Sequence, residues 1–251
     1  MFDLDGKIAL VTGGSRGIGR AIAIGLAKAG AQVIVNYVSN QQAARDTVET
    51  ILAAGGRAEE YRANVTDESA VESMFAWVDK QFGRLDILVN NAAVLSRYPF
   101  LEMPAEEWIR IMNGNVNGYF YCGQRAARMM VRAGWGRIIN ISSCSQVQAA
   151  PNRSHYCTSK AAIGMLTKCM ALEMAPHNVT VNCVMPGTIA TDFNADVLAD
   201  PEYRKNAVSL IPSGKIGRPE DVVAAVLMLA SEEASYCTGS MIAVDGGITL
   251  K

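Results

Sequence analysis

Short hydrophobic runs alternate with longer amphipathic runs along the whole chain, and this alternation limits the possible folds more than any other feature. Most of the short runs are nearly continuous in Ile, Val and Leu, which is typical of parallel strands covered on both faces. The sequence therefore predicts a single doubly wound α/β (Rossmann) domain, with a seven-stranded parallel sheet between two layers of helices. The predicted strands are residues 7–12, 31–37, 57–65, 85–90, 136–142, 178–184 and 240–245.

The helical runs carry recognisable start and stop signals. Gly30 is predicted to cap the end of the first helix, and Asp67 to cap the start of another helix that stops at Gly83. Pro219 marks the first turn of the last helix. A long run over residues 104–134 is interpreted as one continuous helix.

Composition narrows the function classes. The chain has 251 residues and a formal net charge of −1, which gives no support for nucleic acid or a membrane surface as a partner. No stretch of about 18 apolar residues is present to span a bilayer. Acidic residues precede the first strand where a signal peptide would carry basic ones, so we expect a cytoplasmic protein.

Neither the cysteines nor the histidines suggest a metal centre. The six cysteines form no C-x-x-C pair and are interpreted as reduced thiols, and two histidines are too few for a His-rich site. The whole chain, 1–251, is expected to form one domain. Its least regular stretch, at about 188–215, contains Pro201, Pro212 and Gly214 and is a candidate substrate lid.

A glycine-rich turn follows the first strand, in the stretch "VTGGSRGIGRAIA". Gly13, Gly17 and Gly19 let the backbone turn sharply and approach a pyrophosphate, which would lie against the unpaired N–H groups of the next helix. An ordinary tight turn is the alternative. The position between the first strand and first helix favours dinucleotide binding, with Ser15, Arg16 and Ile18 in the same loop.

The end of the second strand bears on the choice of dinucleotide. Asn36, Tyr37 and Val38 include no acidic residue to bind the adenosine ribose hydroxyls and repel a 2′-phosphate. Arg16 is able to reach such a phosphate, although Val38 supplies no second cation. NADP is therefore favoured, and NAD remains an alternative.

Tyr156 and Lys160 lie four residues apart in "YCTSK", a spacing that places both on one face of a helix. Taken alone, the two residues could be an ordinary surface pair. Alternatively, the lysine charge lowers the pKa of the phenol and makes it a usable acid or base near neutral pH.

Six motifs, in order, resemble the short-chain dehydrogenase/reductase family over essentially the whole chain: "TGGSRGIG" at 12–19, "NNAA" at 90–93, "NVNG" at 115–118, "ISS" at 141–143, "YCTSK" at 156–160 and "PGTIAT" at 186–191. The chain departs from the family pattern at Ala93, where glycine is usual, and at Asn64, where aspartate is usual. The resemblance implies an NAD(P)-dependent enzyme acting on a CH–OH group.

The resemblance also implies roles for individual residues. Tyr156 would exchange a proton with the substrate oxygen, and Lys160 would assist it and hold the nicotinamide ribose. Ser143 would orient the reacting oxygen, with Ser142 as the neighbouring competitor, and Asn115 would hold a water that relays protons. The cofactor would further contact Val38, Asn64, Val65, Asn91, Ala92, Pro186, Gly187, Thr188, Ile189 and Thr191.

Two branches of the family compete for the substrate. The stretches at 100–104, 186–205 and 236–250 resemble aldose 1-dehydrogenases, which oxidise a sugar to its lactone, although Leu95 stands where glucose enzymes often carry glutamate. The other branch is the 3-oxoacyl-(acyl carrier protein) reductases, whose basic docking positions here read Gly134 and His177. A reductase of another carbonyl compound is a further alternative. Predicted substrate contacts are Ser143, Ser145, Arg153, Tyr156, Thr188 and Asn194. His155 is interpreted as a bystander or a substrate contact.

Two further expectations concern the molecule as a whole. A non-catalytic dinucleotide-binding module is a remote alternative, which would be expected to have a damaged active site. The methionine-rich helices around Met129 and Met165 either fill core gaps or, as the family resemblance suggests, pack between the subunits of a homotetramer or homodimer.

Overall fold

Seven strands make up the sheet of the computed structural model, which describes residues 2–250. They are β1 (Ile8–Val11), β2 (Gln32–Tyr37), β3 (Arg57–Arg62), β4 (Ile87–Asn90), β5 (Gly136–Ile141), β6 (Val179–Pro186) and β7 (Met241–Val244). All neighbouring pairs are parallel, and the order across the sheet is β3-β2-β1-β4-β5-β6-β7. The strand order reverses between β1 and β4, where the connecting loops diverge and open a crevice at the carboxyl ends. All seven predicted strands and the doubly wound fold are confirmed.

Helices cover both faces of this sheet. Within residues 2–250 they are α1 (Gly17–Lys28), α2 (Gln41–Ala53), α3 (Glu68–Phe82), α4 (Ala105–Met112), α5 (Gly118–Ala133), α6 (Ser154–Met174), α7 (Ala195–Leu198), α8 (Pro201–Leu210) and α9 (Glu220–Ala230). Helix α2 was not anticipated from the sequence. Helices α7 and α8 form half of the stretch interpreted as a lid.

Alternating strand residues build a core on each side of the sheet. On one side, Val33 and Val35 of β2 lie in the same buried cluster as Leu26 of α1 and Val226 of α9. On the other side, Ile34 joins a cluster that contains residues of α3, α5 and α6. The central strands contribute buried side chains to both layers, so their sequences are continuously apolar rather than alternating, whereas β3 at the edge of the sheet buries only Ala58.

Most of the predicted helix ends agree with the structure. The side chain of Asp67 accepts hydrogen bonds from the N–H groups of Ser69 and Ala70, and Gly83 ends α3 in the left-handed conformation at φ 68°. Helix α1 ends at Lys28 with Ala29 as its cap, so Gly30, which was predicted to be the cap, lies one residue beyond it at φ 104°.

The long helix predicted over residues 104–134 is interrupted. A wide π turn at Asn113–Asn117 separates α4 from α5, so the prediction of one continuous helix was wrong. Glycines at positions 114 and 118 occupy this turn, and a side chain on Gly114 would come within 2.5 Å of Val94. Such widened turns commonly occur at functional sites because they release the regular hydrogen-bond ladder.

The structure bears on the cysteines, on metal binding and on membrane-spanning helices. All six cysteines are free thiols. Among residues 2–250, no group of three or more His, Cys, Asp or Glu side chains is arranged to hold a metal ion. None of the helices in that part of the chain is both long enough and apolar enough to cross a membrane.

Candidate active site

A cavity of about 620 Å³ opens at the carboxyl ends of the central strands. Its walls come from the loops that follow β1, β2, β3, β4, β5 and β6 and from the segment that carries α7 and α8. Every residue predicted for the site lines this cavity except Asn115, whose side chain is fully buried nearby. The fold thus brings together residues separated by up to about 180 positions in the chain.

The glycine loop after β1 is held in a conformation that requires glycine. Gly13 and Gly17 have φ angles of 61° and 53°, which lie in the left-handed region. A Cβ at Gly19 would lie 2.3 Å from the carbonyl oxygen of Gly13. Asn91 fixes the loop from the neighbouring strand end by donating to the carbonyls of Thr12 and Gly13 at 3.0 and 3.1 Å.

This loop fits the pyrophosphate of a dinucleotide. Helix α1 begins directly after Arg16 without a side chain capping its first N–H groups, so those donors face the cavity unpaired. Because glycines leave the backbone bare at this helix N-terminus, an anion is able to approach it closely. An ordinary tight turn would not need this combination.

Arg62, the last residue of β3, contacts the residue that follows β2. The guanidinium of Arg62 donates from Nε to the carbonyl oxygen of Val38 at 3.1 Å. The parallel register of β2 and β3 pairs Tyr37 with Arg62 and so brings this guanidinium to the Val38 carbonyl, although Arg62 itself does not line the cavity. Writing the two strands in that register from the sequence would have revealed the contact.

Tyr156 lies on the first turns of α6 and is only 8% exposed. Burial raises the pKa of its phenol to about 12, while a hydrogen bond from Ser143 and the positive charge of Arg153 act to lower it. We expected the Lys160 charge to dominate this pKa, but in the protein alone desolvation outweighs the nearby positive charges. The phenol is therefore protonated at neutral pH in the protein without ligand.

Lys160 lies on the same face of α6 but points to a different partner. Its Nζ donates to the carbonyl oxygen of Ile141 at 3.0 Å and lies 5.7 Å from the centroid of the Tyr156 ring. Burial lowers the pKa of this ammonium to about 8. Both members of the pair line the cavity, so they are not an exposed surface pair.

The two serines after β5 have different surroundings. The hydroxyl of Ser142 donates to the carbonyl oxygen of Lys160 at 3.0 Å, which leaves it committed to the backbone of α6. The side chain of Ser143 acts to lower the pKa of the Tyr156 phenol, and its hydroxyl lies 3.9 Å from the Sγ of Cys144. Its oxygen also accepts from the N–H of Ser145 at 3.1 Å. Strand alternation accounts for this difference, since adjacent side chains point to opposite sides.

Asn115 connects three elements through its side chain. Its Oδ1 accepts from the N–H of Val94 at 2.8 Å, and its Nδ2 donates to the carbonyl of Val94 and to the hydroxyl of Ser159, both at 3.0 Å. Both amide hydrogens are thus bonded to protein groups. The side chain fixes the loop after β4 against α6, and its Oδ1 keeps a second lone pair that is able to accept from a water.

The predicted substrate residues differ in how free they are. Asn194 uses its amide within its own loop, accepting from the N–H of Thr191 and donating to the carbonyl of Ile189. Arg153 donates from Nη2 to the hydroxyl of Tyr203, on α8, at 3.1 Å. Tyr203 itself lines the cavity, so α8 contributes a wall to the site.

Two residues near Tyr156 test the sequence-based prediction of the site: Arg97 lines the cavity and His155 does not. Arg97, which follows β4 in "NNAAVLSR", lines the cavity and was not predicted. The signal was available, because the loops after central strands of this fold meet at the ligand. His155 is fully buried and does not line the cavity, and its Nε2 lies 2.8 Å from the hydroxyl of Ser96.

The chain was compared with family models and with characterised proteins. Residues 13–249 match the family model described as enoyl-(acyl carrier protein) reductase. The relatives include 3β-hydroxysteroid dehydrogenase 1 of Eggerthella lenta, 42% identical over 99% of this chain and 95% of that protein. They also include L-rhamnose 1-dehydrogenase (NAD(P)(+)) of Sphingomonas sp., 39% identical over 98% and 97%, and glucose 1-dehydrogenase 2 of Bacillus subtilis, 41% identical over 99% and 96%.

Solved structures give the same picture of the fold. A short-chain type dehydrogenase/reductase from Mycobacterium marinum is 43% identical with a TM-score of 0.95, covering 100% of this chain and 98% of that one. A gluconate 5-dehydrogenase from Burkholderia cenocepacia, in complex with NADP and tartrate, is 33% identical with a TM-score of 0.95 over 100% and 98%. These relatives share one architecture but carry the names of different substrates.

Proposed function

Because the chain belongs to the short-chain dehydrogenase/reductase family, whose members here act on CH–OH groups, we propose that it oxidises an aldose at C1 to the lactone with a nicotinamide dinucleotide. The observation that carries this proposal is the ring of hydrogen-bonding side chains around Tyr156. Ser143, Ser145 and Arg153 all line the cavity beside it. Sugar hydroxyls need such donors and acceptors, whereas a steroid skeleton does not.

The reaction removes a hydride from C1 and a proton from the hydroxyl on that carbon, which leaves the lactone carbonyl. The dinucleotide, when bound, supplies the hydride acceptor. Tyr156 takes the hydroxyl proton, and Ser143 holds the reacting oxygen against the phenol. Lys160 binds the ribose next to Tyr156 and provides positive charge that favours the phenolate.

Protonation of Tyr156 sets the direction that is easier at neutral pH. With its pKa raised to about 12 by burial, the phenol is placed to donate a proton, as reduction requires. Oxidation requires the phenolate, which the charge of Arg153 and any cationic group bound beside Tyr156 favour. Initial rates of oxidation are therefore expected to rise with pH.

We propose NADP as the preferred coenzyme and NAD as a weaker alternative. Arg16 from the glycine loop lines the cavity near the expected position of the 2′-phosphate. Arg62, bonded to the carbonyl of Val38, adds positive charge beside the loop after β2. The stretch from Asn36 to Asn40 contains no carboxylate to repel it. The names of two relatives, one with NAD(P)(+) and one in complex with NADP, agree with this assignment.

The test is an initial-rate screen of aldoses and 3-oxoacyl thioesters, each with NADP and with NAD. We expect turnover of aldoses, faster with NADP, and a loss of about 10²–10⁴-fold in kcat for Tyr156→Phe. Tyr236→Phe, at a fully exposed tyrosine, is the matched control and is expected to retain wild-type rates. Turnover of thioesters alone would assign the protein to acyl reduction, and binding of dinucleotide without any turnover would support a non-catalytic module.

We further propose a cytoplasmic homotetramer, with a homodimer as its building block. Six free cysteines agree with a reducing compartment. Helices α5 and α6 leave apolar side chains exposed on one face, including Phe120, Met165 and Leu172. A second copy of the chain packed on this face would bury them.

A further inference from the structure

Two arginines line the substrate end of the cavity, Arg97 from the loop after β4 and Arg153 from the start of α6. We propose that together they bind an anionic group of the substrate, so that the preferred sugar is a sugar acid such as a uronate rather than a neutral aldose. This inference rests on the proposed function, because it concerns the substrate of the same site. The inference adds a binding site for an oxyanion of the substrate, formed by the two guanidinium groups.

Arg97 has donor capacity that the protein does not use. Its Nε is buried and has no hydrogen-bond partner among the described residues. Its Nη1 lies 3.9 Å from Oδ2 of Asp196, at the outer limit of an ion pair, and the Asp196 side chain is 72% exposed. A pair that long and that exposed contributes little, so the guanidinium remains available to a ligand.

Arg153 is held in place without being neutralised. Its Nη2 donates to the hydroxyl of Tyr203, which carries no charge. Within residues 2–250, no carboxylate lies within 4 Å of its guanidinium. Tyr203 therefore orients Arg153 while leaving its charge for another partner. The same charge reaches Tyr156, where it helps to lower the pKa of the phenol, so Arg153 lies close to the reacting group.

The charges around the substrate end do not balance. Arg97, Arg153 and Lys160 line it, and Asp192 is the single carboxylate that lines the cavity in the described part of the chain. A neutral sugar would leave both guanidiniums without a counter-charge, at a cost in desolvation. A carboxylate matches the planar fork of a guanidinium with two parallel hydrogen bonds, which are among the stronger ones in proteins.

Pairs of sugars that differ at one carbon test this directly. D-Glucose and D-glucuronate, and likewise D-galactose and D-galacturonate, have the same reacting C1 and differ only in the CH₂OH or carboxylate at C6. We expect kcat/KM to be about 10-fold or more higher for each uronate than for its neutral partner, mainly through KM. Glucose 6-phosphate is the third arm, because a preference for it over glucuronate would assign the oxyanion as phosphate.

Substitutions assign the preference to the two arginines. Arg97→Gln is expected to remove most of the difference between uronate and neutral sugar, while kcat/KM for the neutral sugar changes little. Arg153→Gln is also expected to remove most of that difference, and it lowers kcat for both sugars because the Arg153 charge favours the Tyr156 phenolate. The matched control is Arg204→Gln, which removes a charge from α8 outside the cavity and is expected to keep the preference. Arg97→Lys retains the positive charge and is expected to keep part of the preference for the uronate. This variant distinguishes the effect of the lost charge from that of a disturbed fold.

Ligand binding can also be measured without turnover, so that the test of the anion site does not depend on reaction rates. In Tyr156→Phe saturated with NADP, thermal unfolding is expected to shift upward with D-glucuronate and much less with D-glucose at equal concentration. Equal kcat/KM and equal shifts for acid and neutral sugar would overturn the anion site while leaving the dehydrogenase intact. Absence of turnover with every sugar, together with turnover of another substrate, would instead overturn the proposed function.

Discussion

Lys160 carries the most unusual charge in the site. Its ammonium is 2% exposed, and burial lowers its pKa from 10.5 to about 8. Between these two values the unfolded chain binds a proton that the folded protein does not. Stability must therefore rise with pH across that window, because the cost of burying the charge disappears as the lysine loses its proton.

The prediction is measured as a difference between wild type and Lys160→Met. From pH 8 to 10.5 the free energy of unfolding of the wild type should rise relative to that of the variant by about 3 kcal/mol. Urea unfolding of both proteins without dinucleotide, at half-unit steps of pH, gives this difference, since the contributions of other groups largely cancel. A constant difference over the window would mean that Lys160 is not desolvated.

The positions of the site residues were easier to predict from the sequence than their pKa values and hydrogen bonds. The four positions Asn115, Ser143, Tyr156 and Lys160 could be assigned from motif order, and the fold places them beside one another. Their energetics depend on burial, which no spacing encodes. This is why the pKa of Tyr156 lies above rather than below its usual value, and why the Asn115 amide has no free hydrogen.

At the scale of elements, a buried polar network connects helix α6 to the middle of the sheet. The Nδ2 of Asn140, on β5, donates to the Thr167 hydroxyl at 2.9 Å and its Oδ1 accepts from Asn90, on β4, at 3.0 Å. All three side chains are at most 1% exposed. The network positions the helix that carries Tyr156, and every partner lost from it leaves a buried polar atom unpaired.

Thr167→Val is expected to lower the free energy of unfolding by about 1–3 kcal/mol, because it keeps the shape but removes the oxygen that Asn140 needs. Chemical denaturation measures the loss. Thr158→Val, at an exposed threonine of the same helix, is the matched control and should change stability by less than about 0.5 kcal/mol. Equal effects of the two substitutions would mean that the buried hydroxyl of Thr167 contributes no more to stability than an exposed one.

Strands could be predicted almost completely and helices only in part. A strand buried on both faces is apolar throughout, which marks the central strands, and all seven predicted strands are present, including the mostly polar edge strand β3. The break between α4 and α5 was missed because residues 104–134 have helical spacing throughout, while the widened turn depends on the contact of Gly114 with Val94. Helix α2, with Gln41 and several charged residues exposed, has too few apolar positions to stand out.

The whole molecule places two anion-binding regions at one edge of the sheet. The helix N-terminus behind Gly17 lies at one end of the cavity, and Arg97 and Arg153 line its substrate end. Both arise because loops after parallel strands converge at the same edge, which brings together side chains distant in sequence. Such convergence predicts where a ligand binds, but its chemistry depends on single residues in those loops, and Arg97 carried no motif that marked it.

Assembly provides the last prediction. On the face formed by α5 and α6, Leu172 is 80% exposed and Met165 is 60% exposed, one heptad apart on one side of α6. We expect Leu172→Glu to shift the protein to smaller species in sedimentation velocity, because it places a charge in an interface that would bury both residues. Leu52→Glu, on α2, is the matched control at a partly exposed leucine of a different helix and is expected to leave the assembly unchanged. A wild-type monomer, or equal effects of the two substitutions, would contradict an interface on this face.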